Sequence, residues 1–185
     1  MQALDPITQA VTTARFLRAT NALETDPDHE SEVSDLLIAA QELVETACRR
    51  PMLPRRFAFE VNLTGWSEWY FPIMPVVQVD QMQVIGDDGT VSDLDLSSAI
   101  LRGAGDAPRL VAASGFPAAG ALRVVATCGH TAASAPRQMA QAIILIAKEW
   151  RTAGITVEPM EFLNVSMGCR TLIRQVRYVR PAVVL

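Results

Sequence analysis

The sequence predicts an α+β fold: a small helical bundle from the N-terminal and C-terminal parts, an inserted antiparallel β module, and an extended C-terminal tail. Three observations predict it. Apolar residues recur at helical spacing from Val33 to Ala47 and again from Met139 to Trp150. Between them the period drops to two, starting with Phe57, Phe59, Val61 and Leu63. The chain then ends on "VRYVRPAVVL", where Pro181 bars a helix and the last four residues are apolar. A free terminus is usually polar and frayed, so such an ending implies a place where it is buried.

Asp5-Pro6 reads as an N-cap followed by a first-turn proline, and Ile7, Ala10, Val11, Ala14 and Leu17 place a first helix over about 6–19. The acidic stretch "TNALETDPDHE" reads as a linker. Ser31 is expected to cap a second helix over about 32–49, whose stripe is Val33, Leu36, Leu37, Ala40, Val44 and Ala47. Pro51 and Pro54 stop it. The β insertion spans about 55–129, with a turn at Gly86-Asp87-Asp88-Gly89 and further short strands in "LRGAGDAPRLV" and "ALRVVATCG". A third helix over about 136–152 carries Met139, Ile143, Ile146 and Trp150 on one face, while Ile144 and Leu145 fall outside it. A helix apolar nearly all round is buried on several sides, some of them against a neighbouring copy. A fourth helix over about 166–177 sets Arg170, Arg174 and Arg177 at i, i+4 and i+7. Residues 178–185 form the tail.

The 185 residues suit one domain, 1–185, with a real core. Half are hydrophobic and 19% charged, which excludes a disordered chain. The longest apolar run, Ala142 to Ala147, is far too short to span a membrane. No basic, apolar signal segment opens the chain, so a cytosolic origin is expected. Cys48, Cys128 and Cys169 are odd in number and far apart, which reads as buried reduced thiols rather than a disulfide framework. Charge is segregated: residues 1–48 hold nine acids against Arg15 and Arg18, and residues 137–185 hold seven bases against Glu149, Glu158 and Glu161. An acidic head and a basic tail suggest complementary surfaces, between copies or towards a partner.

Few residues promise chemistry. Cys128 and His130 lack a second ligand pair for a metal and a third group for nucleophilic catalysis. His29 lies in the acidic linker. "RGAGDAPR" contains no phosphate-binding fingerprint, so Gly103 and Gly105 read as turn glycines. Trp66, Trp69, Tyr70 and Phe71, beside Arg55 and Arg56, read as hairpin aromatics that pack on the helices or a subunit partner, with a nucleic-acid stacking platform as the rival. Asp93 and Asp95 read as solvated loop acids. The stripe of Arg170, Arg174 and Arg177 has three readings: a solvated face, a protein or subunit interface, and a nucleic-acid contact.

The order of segments carries more than any one of them. "SEVSDLLIAAQELVETACRRPML" is a helix ending in an arginine pair and then proline; "FPIMPVVQVDQMQVIGDDGT" is a strand running into an Asp-Gly turn. "GFPAAGALRVVATCGHTAASAPRQMAQAIILIAKEW" joins a strand to a proline-opened helix closing on Trp150, and "LIRQVRYVRP" follows. This succession, over about residues 31–180, resembles the head–tail connector (adaptor) proteins of long-tailed bacteriophages and of phage-like gene transfer agents. The resemblance implies a ring, commonly of 12 copies, between the portal protein and the tail-side completion (stopper) protein of a virion or phage-like particle assembled in the bacterial cytoplasm. DNA would pass through its lumen without sequence-specific contacts. No catalysis, cofactor, metal or membrane is implied. The portal- or partner-binding residues expected on this reading are Arg170, Arg174, Arg177, Tyr178, Val179, Arg180, Val183, Val184 and Leu185. The subunit interface is expected at Ile144, Leu145, Lys148 and Trp150. The alternative function is a nucleic-acid-binding module using the C-terminal arginine helix; a small enzyme using Cys128 and His130 ranks below it.

Overall fold

The computed structural model describes residues 1–21, 27–63, 67–113, 116, 119–131, 133–154 and 165–181, with the side chains of 27–29 left out. The elements run β1 (Gln2–Ala3), α1 (Thr13–Thr20), α2 (Pro27–Cys48), β2 (Arg55–Asn62), β3 (Glu68–Tyr70), β4 (Val76–Ile85), β5 (Val91–Leu94), a 3-10 turn (Leu96–Ser98), β6 (Ala99–Arg102), β7 (Arg109–Ala112), β8 (Ala121–Cys128), α3 (Arg137–Thr152) and α4 (Met167–Val176). Helices followed and preceded by a purely antiparallel β insertion make this an α+β fold, as the change of period predicts. Where sequence alone suggests one domain over 1–185, the chain forms two compact units: Met1–Pro6, Leu53–His130 and Tyr178–Leu185 in one, Ile7–Met52 and Thr131–Arg177 in the other.

In the β unit, five strands pair in the order β1-β2-β8-β4-β5 and three more in the order β3-β7-β6. The alternation along β2 turns Phe57 and Phe59 inward, and β8 opposes them with Leu122, Val124, Ala126 and Cys128. Trp69 of β3 and Leu110 of β7 join the same core. Phe71 meets the Phe59 ring edge-on at 5.3 Å and the Trp69 ring at 4.6 Å, so the aromatic hairpin packs inward instead of forming a stacking platform. Trp66 lies outside the described residues. The expected turn joins β4 to β5: Gly89 N–H donates to Gly86 O, and Gly86 N–H to Thr90 O. Gly129 takes φ 137°, and a Cβ there would run into Leu53 O.

Two N-terminal expectations need correction. The first helix begins at Thr13, capped by Thr12, whose hydroxyl accepts from Arg15 N–H at 3.2 Å. Asp5 is not its cap. The Asp5 carboxylate instead accepts from the backbone N–H of Arg56 at 2.8 Å and pairs with its guanidinium at 2.7 Å. That clip holds β1 along β2, with Gln2 opposite Ala58 and Ala3 opposite Phe57. The second helix starts earlier than Ser31, at Pro27, because a proline is well suited to the first helical position: its missing N–H has no helical partner there anyway.

The helical unit has its own core. Val33, Leu36, Leu37, Ala40, Val44 and Cys48 of α2 meet Met139, Ile143, Ile146 and Trp150 of α3, together with Phe16 and Cys169. Buried Gln41 ties down the segment before α1: its amide donates to Thr8 O at 3.0 Å and accepts from Ala10 N–H at 2.9 Å. The same amide donates to Glu45 at 2.7 Å, and Glu45 accepts from Met52 N–H at 2.9 Å. A second correction of emphasis concerns α3. Ile144 and Leu145 pack partly against this same core, and Trp150 is only 5% exposed. Of the four residues expected at a subunit boundary, Lys148 alone is exposed; Trp150 is covered by its own unit.

Candidate partner-binding surface

Helix α4 is positioned from its N-terminus. The Ser166 hydroxyl accepts from Cys169 N–H at 3.5 Å, a long cap. Cys169 is fully buried, and Leu172, Ile173 and Val176 pack on the helical core. At 100° per residue these define one face, and Arg170, Arg174 and Arg177 lie together on the side that adjoins it, all exposed. None of the three makes an ion pair among the described residues. The stripe foreseen from the i, i+4, i+7 spacing is therefore a surface of three free guanidinium forks, suited to carboxylate or phosphate.

Beyond α4 the backbone turns extended at Arg177, with φ −63° and ψ 127°. The tail residues then alternate. Tyr178 is 5% exposed, and its hydroxyl donates to Phe71 O at 3.2 Å. Val179 is 75% exposed. Arg180 sets its guanidinium 5.7 Å from the centre of the Trp69 ring. The expected tail thus does not leave the fold at residue 178. A large ring with one polar atom gains by burying its body and pairing its hydroxyl, and Tyr178 finds both in the β unit. Val183, Val184 and Leu185 lie outside the described residues. No local pattern signals the Tyr178–Phe71 contact, because the partner is a backbone carbonyl a hundred residues away.

The other candidates resolve into structure. Burial pushes the Cys128 thiol up to about 12, with Asp80 adding to the shift. A thiol held that firmly protonated is a poor nucleophile. Burial likewise raises Cys48 to about 11 against the pull of Arg50 and Arg177. His130 is buried at 7%. Asp93 accepts from the Gln83 amide at 2.9 Å, while Asp95 caps the 3-10 turn through Ser97 N–H at 2.8 Å, so the two carboxylates have separate structural duties. Gly103 takes φ 61° in a turn closed by Asp106 N–H on Gly103 O. Among the described residues no group of three His, Cys, Asp or Glu side chains could hold a metal ion, and no helix is long and apolar enough to cross a membrane. The His29 side chain lies outside the described residues.

The fold itself is the most specific feature. It is similar to a chain in the neck of an empty gene transfer agent (GTA) particle computed with C6 symmetry, with a TM-score of 0.76 at 19% identity over 97% of this chain and 96% of that one. A chain from the virion of a native GTA particle matches with a TM-score of 0.69 at 20% identity, over 97% and 96%. A chain from the neck of a native GTA particle computed with C12 symmetry matches with a TM-score of 0.69 at 21% identity, over 98% and 96%. No protein-family model matches the sequence, and no curated protein does. The chain therefore shares, over nearly all its length, the fold of chains found in the neck and virion of GTA particles.

Proposed function

We propose that this chain is a structural head–tail connector: a ring component placed between the portal protein and the tail-side completion protein, with a lumen through which DNA passes. The observation that carries this reading is the likeness to neck chains over 97% and 98% of this chain. A neck computed with C12 symmetry supports a ring of 12 copies. The helical unit supplies the arginine face of α4 for a protein partner, and Ile144, Leu145 and Lys148 are its remaining candidates for subunit contact. In the tail, Tyr178 and Arg180 anchor on the β unit, and Val179 with residues 182–185 is what remains to meet the portal. Strand addition is a natural mode for such an ending, since backbone hydrogen bonds give affinity whatever the side chains.

The test is co-purification with the portal protein of the same genome. The intact chain is expected to be retained, and a chain lacking residues 182–185 is expected to lose retention while keeping its thermal midpoint. Retention of the shortened chain at full strength would contradict the role of the tail. Failure of the intact chain to bind any portal would contradict the connector itself.

A further inference from the structure

The helical unit carries a second charged face that its own fold does not use. On α2, Glu32, Asp35 and Glu42 are exposed and fall on one side, opposite the buried Val33, Leu37, Ala40 and Val44. They flank the half-buried Ala39, a small residue that lets another element approach. None of these acids makes an ion pair among the described residues, just as none of the α4 arginines does. Asp35 to Glu42 spans seven positions and so does Arg170 to Arg177, about 10.5 Å in each case at the helical rise. Six charges of opposite sign, unpaired among the described residues, thus sit on two stripes within one compact unit; the Asp35–Glu42 part of the acidic stripe matches the basic one in length, and Glu32 extends it by three further positions.

We propose that the arginine stripe of α4 (Arg170, Arg174, Arg177) docks on the acidic stripe of α2 (Glu32, Asp35, Glu42) of the next copy of this chain. This rests on the connector reading and names the partner of that surface. The two faces belong to different helices of one unit, so a copy can offer one to each neighbour, and such a head-to-tail contact closes into a ring when the rotation permits. Exposed ion pairs add little affinity singly. Their use here is register and direction, because an α4 face meeting another α4 face sets like charges together and is disfavoured. A DNA-binding role fits the same arginines less well: three phosphate contacts are few, and the acids of the same unit would repel the duplex.

The experiment is a charge swap read by native mass spectrometry of rings formed on the portal. The first variant carries Arg170→Glu and Arg174→Glu, the second Asp35→Arg and Glu42→Arg. All four positions are exposed, and matching circular dichroism melts establish that both variants fold. Each alone is expected to lose ring assembly by about tenfold or more in the concentration required. Mixed in equal amounts they are expected to form rings again, because every interface then joins an acidic stripe to a basic one. The chain with all four changes is expected to assemble by itself. Unchanged assembly of the single-stripe variants, or no recovery on mixing, overturns the proposed interface while leaving the connector intact. Loss of DNA retention with normal assembly assigns the arginines to DNA and also overturns it. Absence of rings from the native chain overturns both readings.

Discussion

Buried Gln41 joins three partners with one amide: exposed Thr8, half-buried Ala10 and buried Glu45. Replacing it with Ala removes its hydrogen bonds to Thr8 O, Ala10 N–H and Glu45, which keeps Met52 N–H, so a loss of about 1–2 kcal/mol is expected by denaturant titration. Asp5 acts at the surface. Its carboxylate is held down at about 2, first by the side-chain hydrogen bond from Arg56 and then by the Arg56 backbone N–H. A carboxyl group with a depressed folded value contributes stability that is complete above its ordinary 3.8 and is lost as pH falls through about 2. An Asp5→Asn variant should therefore trail the native chain in thermal midpoint at neutral pH, with the gap closing over that acid window. Neither role is legible in the sequence. An Asp before Pro carries a strong helix-cap signal, and only the pairing of β1 with β2 brings Arg56 close enough to compete for it. Gln41 sits on a polar-looking edge of the α2 stripe, and nothing local says that residues 8–10 fold over it.

The elements were more readable than the residues. The α2 stripe and the β2 alternation are long patterns tied to a core, so their type and rough extent follow from periodicity. The start of α2 shifts to Pro27 because the acidic run before Ser31 is helical, not a linker, from that point on. Much of the apolar excess of α3 is used within its own unit, where Ile144 and Leu145 pack partly against the helical core. The tail shows the reverse error. A lone Tyr between two arginines reads as surface, yet its ring completes the β unit. Tyr178→Ala should cost about 3 kcal/mol of stability in a thermal or urea melt, whereas removal of residues 182–185 should leave the melt unchanged. Equal effects of the two changes would mean that the tail is one element rather than an anchor and a free end.

At the scale of the whole molecule, the arrangement of charge and fold supports the proposed place in an assembly. Acidic α2 and basic α4 present opposite signs from one unit, and the three cysteines are buried, with their thiols pushed up by burial. The segregation of charge between the two ends was visible in composition, but the identity of the faces required the helices to be placed. The end-to-end likeness to neck chains gives that arrangement its context. Native mass spectrometry of the purified chain, alone and with the portal protein, is the most direct measurement of the central claim. The connector account predicts one closed ring of fixed stoichiometry on the portal, with 12 copies as the expected number. A chain that stays monomeric beside a correctly assembled portal, at every concentration tried, would contradict it.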